Sequence, residues 1–215
     1  MPTIAIVSQK GGSGKTTLAL HLAAEAAYGG NFSCVIDTDP QATAAAWGDW
    51  RGVEHQPEVL TSPPARLGQT IQKVAKAGVN VVVIDTPPHG EAAAREAVKA
   101  ADLVLIPTRL RAFDLHALEA TAALVKFVNK PAFVVLNAAP SRATNLIAQA
   151  SEFVGQLGLS ICPVRFGDRG AFHRCAAAGE VACELDPQGK AALEAKALWS
   201  WVAAETGTSV NNQAD

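Results

Sequence analysis

Apolar residues in this chain fall into short unbroken runs separated by stretches with helical spacing. Ile4-Ala5-Ile6-Val7 is the first run, and Val35-Ile36 ends at Asp37. Val79 to Ile84 ends at Asp85, Leu103-Val104-Leu105-Ile106 ends at Pro107, and Phe133-Val134-Val135-Leu136 ends at Asn137. Ser160 to Val164 is a weaker sixth run. Unbroken runs, as opposed to alternating ones, predict strands buried on both faces, as in a parallel sheet. Ala-rich helices are predicted near 15–28, 41–50, 66–77, 91–99, 114–129, 144–157, 170–178 and 188–204. Asp114 is placed to cap the helix after it, and Gly29-Gly30 and Gly179 follow helix ends. Thr61-Ser62-Pro63-Pro64 reads as a local loop. Strand and helix in alternation predict an α/β fold: a doubly wound, mostly parallel β-sheet flanked by helices on both faces. One domain is expected over residues 1–205, with a polar, frayed tail at 206–215.

Composition narrows the function without naming it. The 215 residues are 49% hydrophobic and 18% charged, a globular balance large enough for a sizeable core. The formal net charge of −2 excludes binding nucleic acid by bulk charge, so any such contact needs a local Arg/Lys cluster. No run of about 18 apolar residues is present to span a membrane. Thr3–Val7 follows the N-terminus directly, with no leader-like pattern, so the expected location is cytoplasmic. Cys34, Cys162, Cys175 and Cys183 are scattered, without a C-x-x-C pair, and read as small buried or neutral residues.

The chemistry concentrates after the first strand. Lys10-Gly11-Gly12-Ser13-Gly14-Lys15-Thr16, followed by Thr17, lies between that strand and a helix. A Gly-rich loop there lets backbone N–H groups and the helix N-terminus converge on phosphate. Lys15 supplies a point charge to the β- and γ-phosphates of ATP, and the Thr16 hydroxyl is placed to ligate Mg²⁺. Gln9 stands where the common phosphate-loop pattern has its first Gly. Asp85 ends an apolar strand and fits a second Mg²⁺-associated carboxylate. Asp37-Thr38-Asp39-Pro40-Gln41 ends another strand; it reads equally as an Asx turn or as a carboxylate pair that orients water or a metal shell. His21, His89 and His116 read as surface or packing residues, and Trp47, Trp50, Trp199 and Trp201 as packing residues.

Together, Gln9–Thr17, Val35–Gln41, Val83–Pro88, Asp102–Pro107 and Asp186–Lys190 resemble the ParA/MinD family of deviant phosphate-loop ATPases. The resemblance is strongest to short partition ATPases without an N-terminal helix-turn-helix domain, and it covers nearly the whole chain. It implies a slow, partner-stimulated ATPase that closes into a homodimer around ATP and Mg²⁺. It also implies non-specific DNA binding, a nucleoid-associated location, and a ParB-like adaptor or centromere-binding protein as partner. The cargo would be a plasmid, a chromosome or another body to be positioned. Lys10 is then similar to the signature lysine that reaches the partner's phosphates. Lys15 would act in cis, Thr16 would ligate Mg²⁺, Asp85 would hold it through water, and Asp37 would sit nearer its outer shell. Asp39 would position the attacking water, Asn137 would lie beside the adenine, and Gly11 would lie near the dimer seam.

The same resemblance places DNA contacts on Arg165, Arg169 and Arg174, with Arg142, Lys190 and Lys196 as candidates to join them. Residues 142–196 hold six basic and six acidic side chains, so a mixed solvated face is the competing reading. The alternative family reading is a MinD-like, membrane-associated regulator. It needs a basic amphipathic helix at the C-terminus. Ala191–Val202 has an apolar face but no Lys or Arg after Lys196, so it is expected to dock on the sheet. An iron–sulfur protein of the nitrogenase type would need cysteines in a pattern this chain lacks, and a tyrosine kinase of this class would need a Tyr-rich tail, whereas the single tyrosine is Tyr28.

Overall fold

The computed structural model describes residues 1–52, 54–140 and 144–209. Seven strands form one sheet: β1 (Thr3–Ile6), β2 (Ser33–Asp37), β3 (Glu58–Thr61), β4 (Val81–Asp85), β5 (Leu103–Thr108), β6 (Ala132–Leu136) and β7 (Ser160–Ile161). Their order across the sheet is β3-β2-β4-β1-β5-β6-β7, and every pairing is parallel. The chain winds to one side of β1 through β2, β3 and β4, then crosses to the other side with β5. The winding therefore reverses beside β1, and ligands in such sheets bind at the carboxyl ends of strands near that reversal.

Period-two alternation assigns each strand's side chains to two cores. Ile4, Ile6, Val35, Val81, Val83 and Leu105 face α1 (Lys15–Tyr28) and α10 (Lys190–Thr206), packing with Leu18, Leu22, Leu198 and Trp199. Ala5, Val7, Ile36, Val82, Ile84 and Ile106 face the other way. They meet Leu67 and Val74 of α3 (Leu67–Lys76), Ala97 and Val98 of α4 (Glu91–Ala100), and Leu118 and Val125 of α6 (Leu118–Val128). The doubly wound, parallel, helix-flanked architecture expected from the sequence is thus observed. Burial on both faces is why the central strands read as unbroken apolar runs.

Several expectations need correction. β3 has no counterpart among the expected strands, and Thr61, expected in a loop, is its last residue; it is an edge strand whose ends Glu58 and Thr61 are exposed, so it never shows an apolar run. Pro64–Arg66 forms a 3-10 turn. The sixth run shrinks to the two residues of β7, and Pro163 just beyond it has no N–H to extend a ladder. The single helix expected over 114–129 is two, α5 (Ala112–His116) and α6, meeting at Ala117. Asp114 caps nothing: Arg111 is the N-cap, and Asp114 lies buried in the first turn of α5. A short helix, α9 (Ala182–Leu185), was also unforeseen; the Glu184 carboxylate accepts the Val181 N–H at 2.7 Å and fixes its start. α10 ends at Thr206, not 204; the Thr206 hydroxyl donates to the Val202 carbonyl, and Gly207 closes the helix at φ 65°.

The remaining elements are α2 (Thr43–Arg51), α7 (Thr144–Gln156) and α8 (Gly170–Ala176). The apolar side of α10 is spent inside the molecule, with Leu198, Trp199 and Val202 fully or almost fully buried. Trp47 packs in the same core and donates its indole N–H to the Glu180 carbonyl at 3.2 Å, while Trp50 is exposed. Cys34, Cys162 and Cys175 are buried and all four thiols are free. Among the described residues, no helix is long and apolar enough to cross a membrane. Arg142 lies outside the described residues.

Candidate nucleotide-binding site

The loop between β1 and α1 turns on two glycines with positive φ, Gly12 at 70° and Gly14 at 93°. Side-chained residues rarely adopt either conformation. At Gly14 there is a second reason: a Cβ there would overlap the Asn137 amide. Asn137, directly after β6, donates from Nδ2 to the Ser13 carbonyl at 2.7 Å and accepts the Ala138 N–H at Oδ1. Loop and strand end are therefore clamped together, and α1 starts at Lys15 directly after the loop, with no side chain capping its first N–H groups.

Lys15 is buried, and its ammonium donates to the Lys10 carbonyl at 3.3 Å. Burial pushes its pKa below the usual lysine value, while Asp85 and Asp39 pull the other way. Thr16 donates its hydroxyl to Asp85 Oδ2 at 2.7 Å. Asp85 is 1% exposed, and burial drives its pKa up to about 7, with Asp37 and Asp39 adding to the rise while Thr16 and Lys15 oppose it. Its other oxygen, Oδ1, is buried with no partner among the described residues, and so are Ser13 Oγ and Arg109 Nε. Unpaired buried polar atoms are uncommon, and three of them line one site.

Asp37 is aligned with Asp85 on the adjacent strand. Both its oxygens are taken by backbone N–H groups, Oδ1 by Asp39 and Oδ2 by Ala45. It braces the start of α2 beside Asp85, and burial raises its pKa. Asp39 accepts the Gln41 N–H and remains partly exposed at the mouth of the site. Sequence reasoning missed two hydroxyls here. Thr38 donates to the Asp85 carbonyl at 2.7 Å, and Thr86 donates to the Ile6 carbonyl at 2.8 Å. The signal was the Asp-Thr pair that ends both β2 and β4.

A cavity of about 330 Å³ opens next to the loop, with Gly14, Thr17, Arg109, Asn137, Pro140 and Phe172 in its wall. Its size suits a small organic ligand. Arg169 also borders this cavity, held by Glu194 of α10 at 2.7 and 3.2 Å; the same carboxylate accepts the Gly167 N–H. Arg165 and Arg174 are exposed. The structure thus puts two of the three arginines considered for DNA in solvent and the third in an ion pair.

The Lys10 ammonium lies 3.9 Å from Asp114 Oδ1, with 44% of the side chain exposed. Among the described residues, a Cβ on Gly11 would meet Pro88 alone, at an ordinary contact distance of 3.9 Å. His21 packs inside, His116 pairs with Glu119 on the surface, and His89 is an exposed loop residue at φ 55°. Among the described residues, no group of three or more His, Cys, Asp or Glu could hold a metal by itself. A cation at Thr16 and Asp85 would draw its other ligands from phosphate and water, a coordination that suits Mg²⁺.

The chain is similar to several known proteins. Maintenance of carboxysome distribution protein A of Gloeobacter kilaueensis is 30% identical over 210 residues, 94% of this chain and 92% of that protein. Protein ParA of Rhizobium radiobacter is 33% identical over 117 residues, 53% of this chain and 51% of that one. Among solved structures, the septum site-determining protein MinD of Pyrococcus horikoshii, complexed with Mg-ADP, superposes with a TM-score of 0.75 at 18% identity, covering 96% of this chain and 97% of that one. Residues 4–163 match the family described as CobQ/CobB/MinD/ParA nucleotide binding domain, and the chain belongs to that family.

Proposed function

We propose that the chain is an ATP-driven positioning switch of the ParA type. ATP would lie with its phosphates on the Gly12–Thr16 loop and its base toward Asn137, Pro140 and Phe172. Thr16 and Asp85 fit Mg²⁺, which when bound would neutralise charge on the β- and γ-phosphates. Asp39 holds the water that attacks, and Lys15 stabilises the developing charge in cis.

The single observation that carries the switch is Lys10. Its ammonium is nearly half exposed, and among the described residues its one ion pair is a 3.9 Å contact to Asp114. A cation so placed serves a second copy of the chain, which it reaches when two molecules close face to face over ATP. The γ-phosphate then favours the dimer because only the dimer supplies the second lysine. The dimer binds nucleoid DNA without sequence preference through exposed arginines such as Arg165 and Arg174, and a ParB-like adaptor on the cargo stimulates hydrolysis and release. The matched relatives named for carboxysome distribution and for ParA support a positioning role. The buried apolar side of α10 supports DNA over lipid as the surface on which it works. One domain of about 205 residues in the cytoplasm is sufficient for this cycle.

The test is binding to non-specific duplex DNA at fixed low salt, with light-scattering mass, for wild type with ATP, wild type with ADP, and Lys10→Ala with ATP. The reading requires that only wild type with ATP be dimeric and DNA-bound. A dimer that ignores DNA keeps the ATP sandwich and removes the nucleoid role; ATP-dependent vesicle binding would then favour the MinD-like alternative.

A further inference from the structure

Arg109 follows β5 directly, in front of the phosphate loop, and neither the loop motif nor the family resemblance assigns it a role. One of its terminal nitrogens, Nη2, lies 3.9 Å from where a Cβ on Gly12 would be. Its Nε is buried without a hydrogen-bond partner among the described residues. None of the ion pairs found among the described residues includes it. The contrast with Arg51 and Arg169 is sharp, since each of those is held by a glutamate at 2.7 Å.

A partly buried guanidinium with an orphaned N–H and no carboxylate is costly to keep unless an anion completes it. The geometry limits which anion. Thr16 and Asp85 mark the metal side of the loop, and Asn137, Pro140 and Phe172 mark the far wall of the cavity. Arg109 lies close to Gly12 of the loop and in the same cavity wall as Gly14 and Thr17, so it borders both the cavity and the loop. A phosphate chain running from the cavity onto the Gly12–Thr16 loop would come within reach of its guanidinium. We infer that Arg109 binds the α- and β-phosphates of the nucleotide in cis, closing from β5 the side of the loop opposite Lys15. Its planar fork allows two parallel N–H donations to phosphate oxygens, which a lysine cannot match.

This assignment rests on the nucleotide reading above and deepens it. It predicts an effect on ADP as large as that on ATP, because the γ-phosphate is not the group contacted. The experiment is competition against a fluorescent ADP analogue with Mg²⁺, using ADP, ATP and adenosine on wild type, Arg109→Gln and Arg109→Lys. In Arg109→Gln, ADP and ATP should both weaken by about tenfold or more, with adenosine within about twofold of wild type. Arg109→Lys should fall between the two, and thermal melting of both variants should match wild type. ADP binding within about twofold of wild type would overturn the inference. So would equal losses for ADP and adenosine, which would make Arg109 part of the base wall or of the fold. Loss of the ATP dimer with ADP binding intact would place the guanidinium on the other subunit's nucleotide and also overturn it. If wild type itself bound neither nucleotide, the nucleotide reading would fall, which is a separate result.

Discussion

Asn137 holds Ser13: its amide donates to the loop carbonyl at 2.7 Å while its own oxygen accepts from Ala138. The amide is spent on shaping the phosphate loop, so its contribution to nucleotide binding is first of all to keep Gly14 pressed against β6. Asn137→Ala should leave a folded protein, less stable by about 1–3 kcal/mol because a buried acceptor loses its partner. ADP affinity should fall by about tenfold. Denaturant unfolding and ADP titration on the same variant check both parts; unchanged affinity would mean that the loop keeps its shape without the clamp.

Asp39 is the carboxylate left partly exposed at the mouth, with Asp37 occupied by backbone. Asp39→Ala should therefore bind ATP and dimerise, yet hydrolyse about a hundredfold more slowly or worse. Single-turnover hydrolysis with light-scattering mass separates these effects. A monomer with normal turnover would reassign the carboxylate.

The two Asp-Thr strand ends offer a test away from the phosphates. Thr38→Val keeps the side chain's shape but removes the donation to the Asp85 carbonyl. The expected cost is about 1 kcal/mol, with no loss of compactness. Urea unfolding should show a lower midpoint at unchanged slope.

His21 sets a pH dependence. Its Nδ1–H donates to the Thr17 carbonyl at 2.8 Å, and Nε2 accepts the Ala182 N–H at 3.1 Å, with Cys175 and Phe172 closing around the ring. Complete burial brings its pKa down to about 4, against smaller upward effects from the Thr17 carbonyl and the Glu184 charge. The unfolded chain takes the proton first. The stability held by the neutral ring is thus fully present above the ordinary histidine value and is lost as pH falls through about 4. The full span is about 3 kcal/mol. Unfolding of wild type and His21→Gln between pH 7.5 and 4.5, roughly the window in which histidine titrates, should give a flatter profile for the variant. Parallel profiles would place the titrating group elsewhere.

The arginines separate by their surroundings. Arg165→Ala, an exposed change, should weaken DNA binding of the ATP dimer, reduce its salt slope by about 1, and leave stability within about 0.5 kcal/mol. Arg169→Ala breaks the pair with Glu194 and loosens the loop that Gly167 anchors, so it should lower thermal stability and nucleotide affinity first. Equal stability losses in both variants would contradict this division.

What could be read from the chain followed from burial. β1, β2, β4 and β5 are covered on both faces, so each carries a short apolar run that marks its place, but not its ends: β5 continues through Pro107 to Thr108, and β2 begins at Ser33, before Val35. β3 lies at the sheet edge, so Glu58 and Thr61 break the run. The division between α5 and α6 left no mark because Ala117 keeps helical angles and is neither Gly nor Pro. The Gly-rich loop and Asp85 could be picked out as candidates from their residue types at strand ends, whereas a role for Asn137 entered only through the resemblance, and its bond to the Ser13 carbonyl left no mark in the sequence. Arg109 was not, since a single Arg after a strand is most often solvated, and only its distance from Gly12 and its orphaned N–H distinguish it.

The Asp-Thr repeat has a mechanical consequence. Thr38 bonds β2 to the end of β4, and Thr86 bonds β4 to the end of β1, so three neighbouring strands are stitched at the edge facing the nucleotide. That edge behaves as a fixed anvil. A rearrangement that follows loss of the γ-phosphate either breaks these buried stitches or begins beyond them, at Asp39 on one side and Pro87 on the other. The expected movers are therefore the two segments that leave the sheet, and the stitched strand ends are expected to hold their positions.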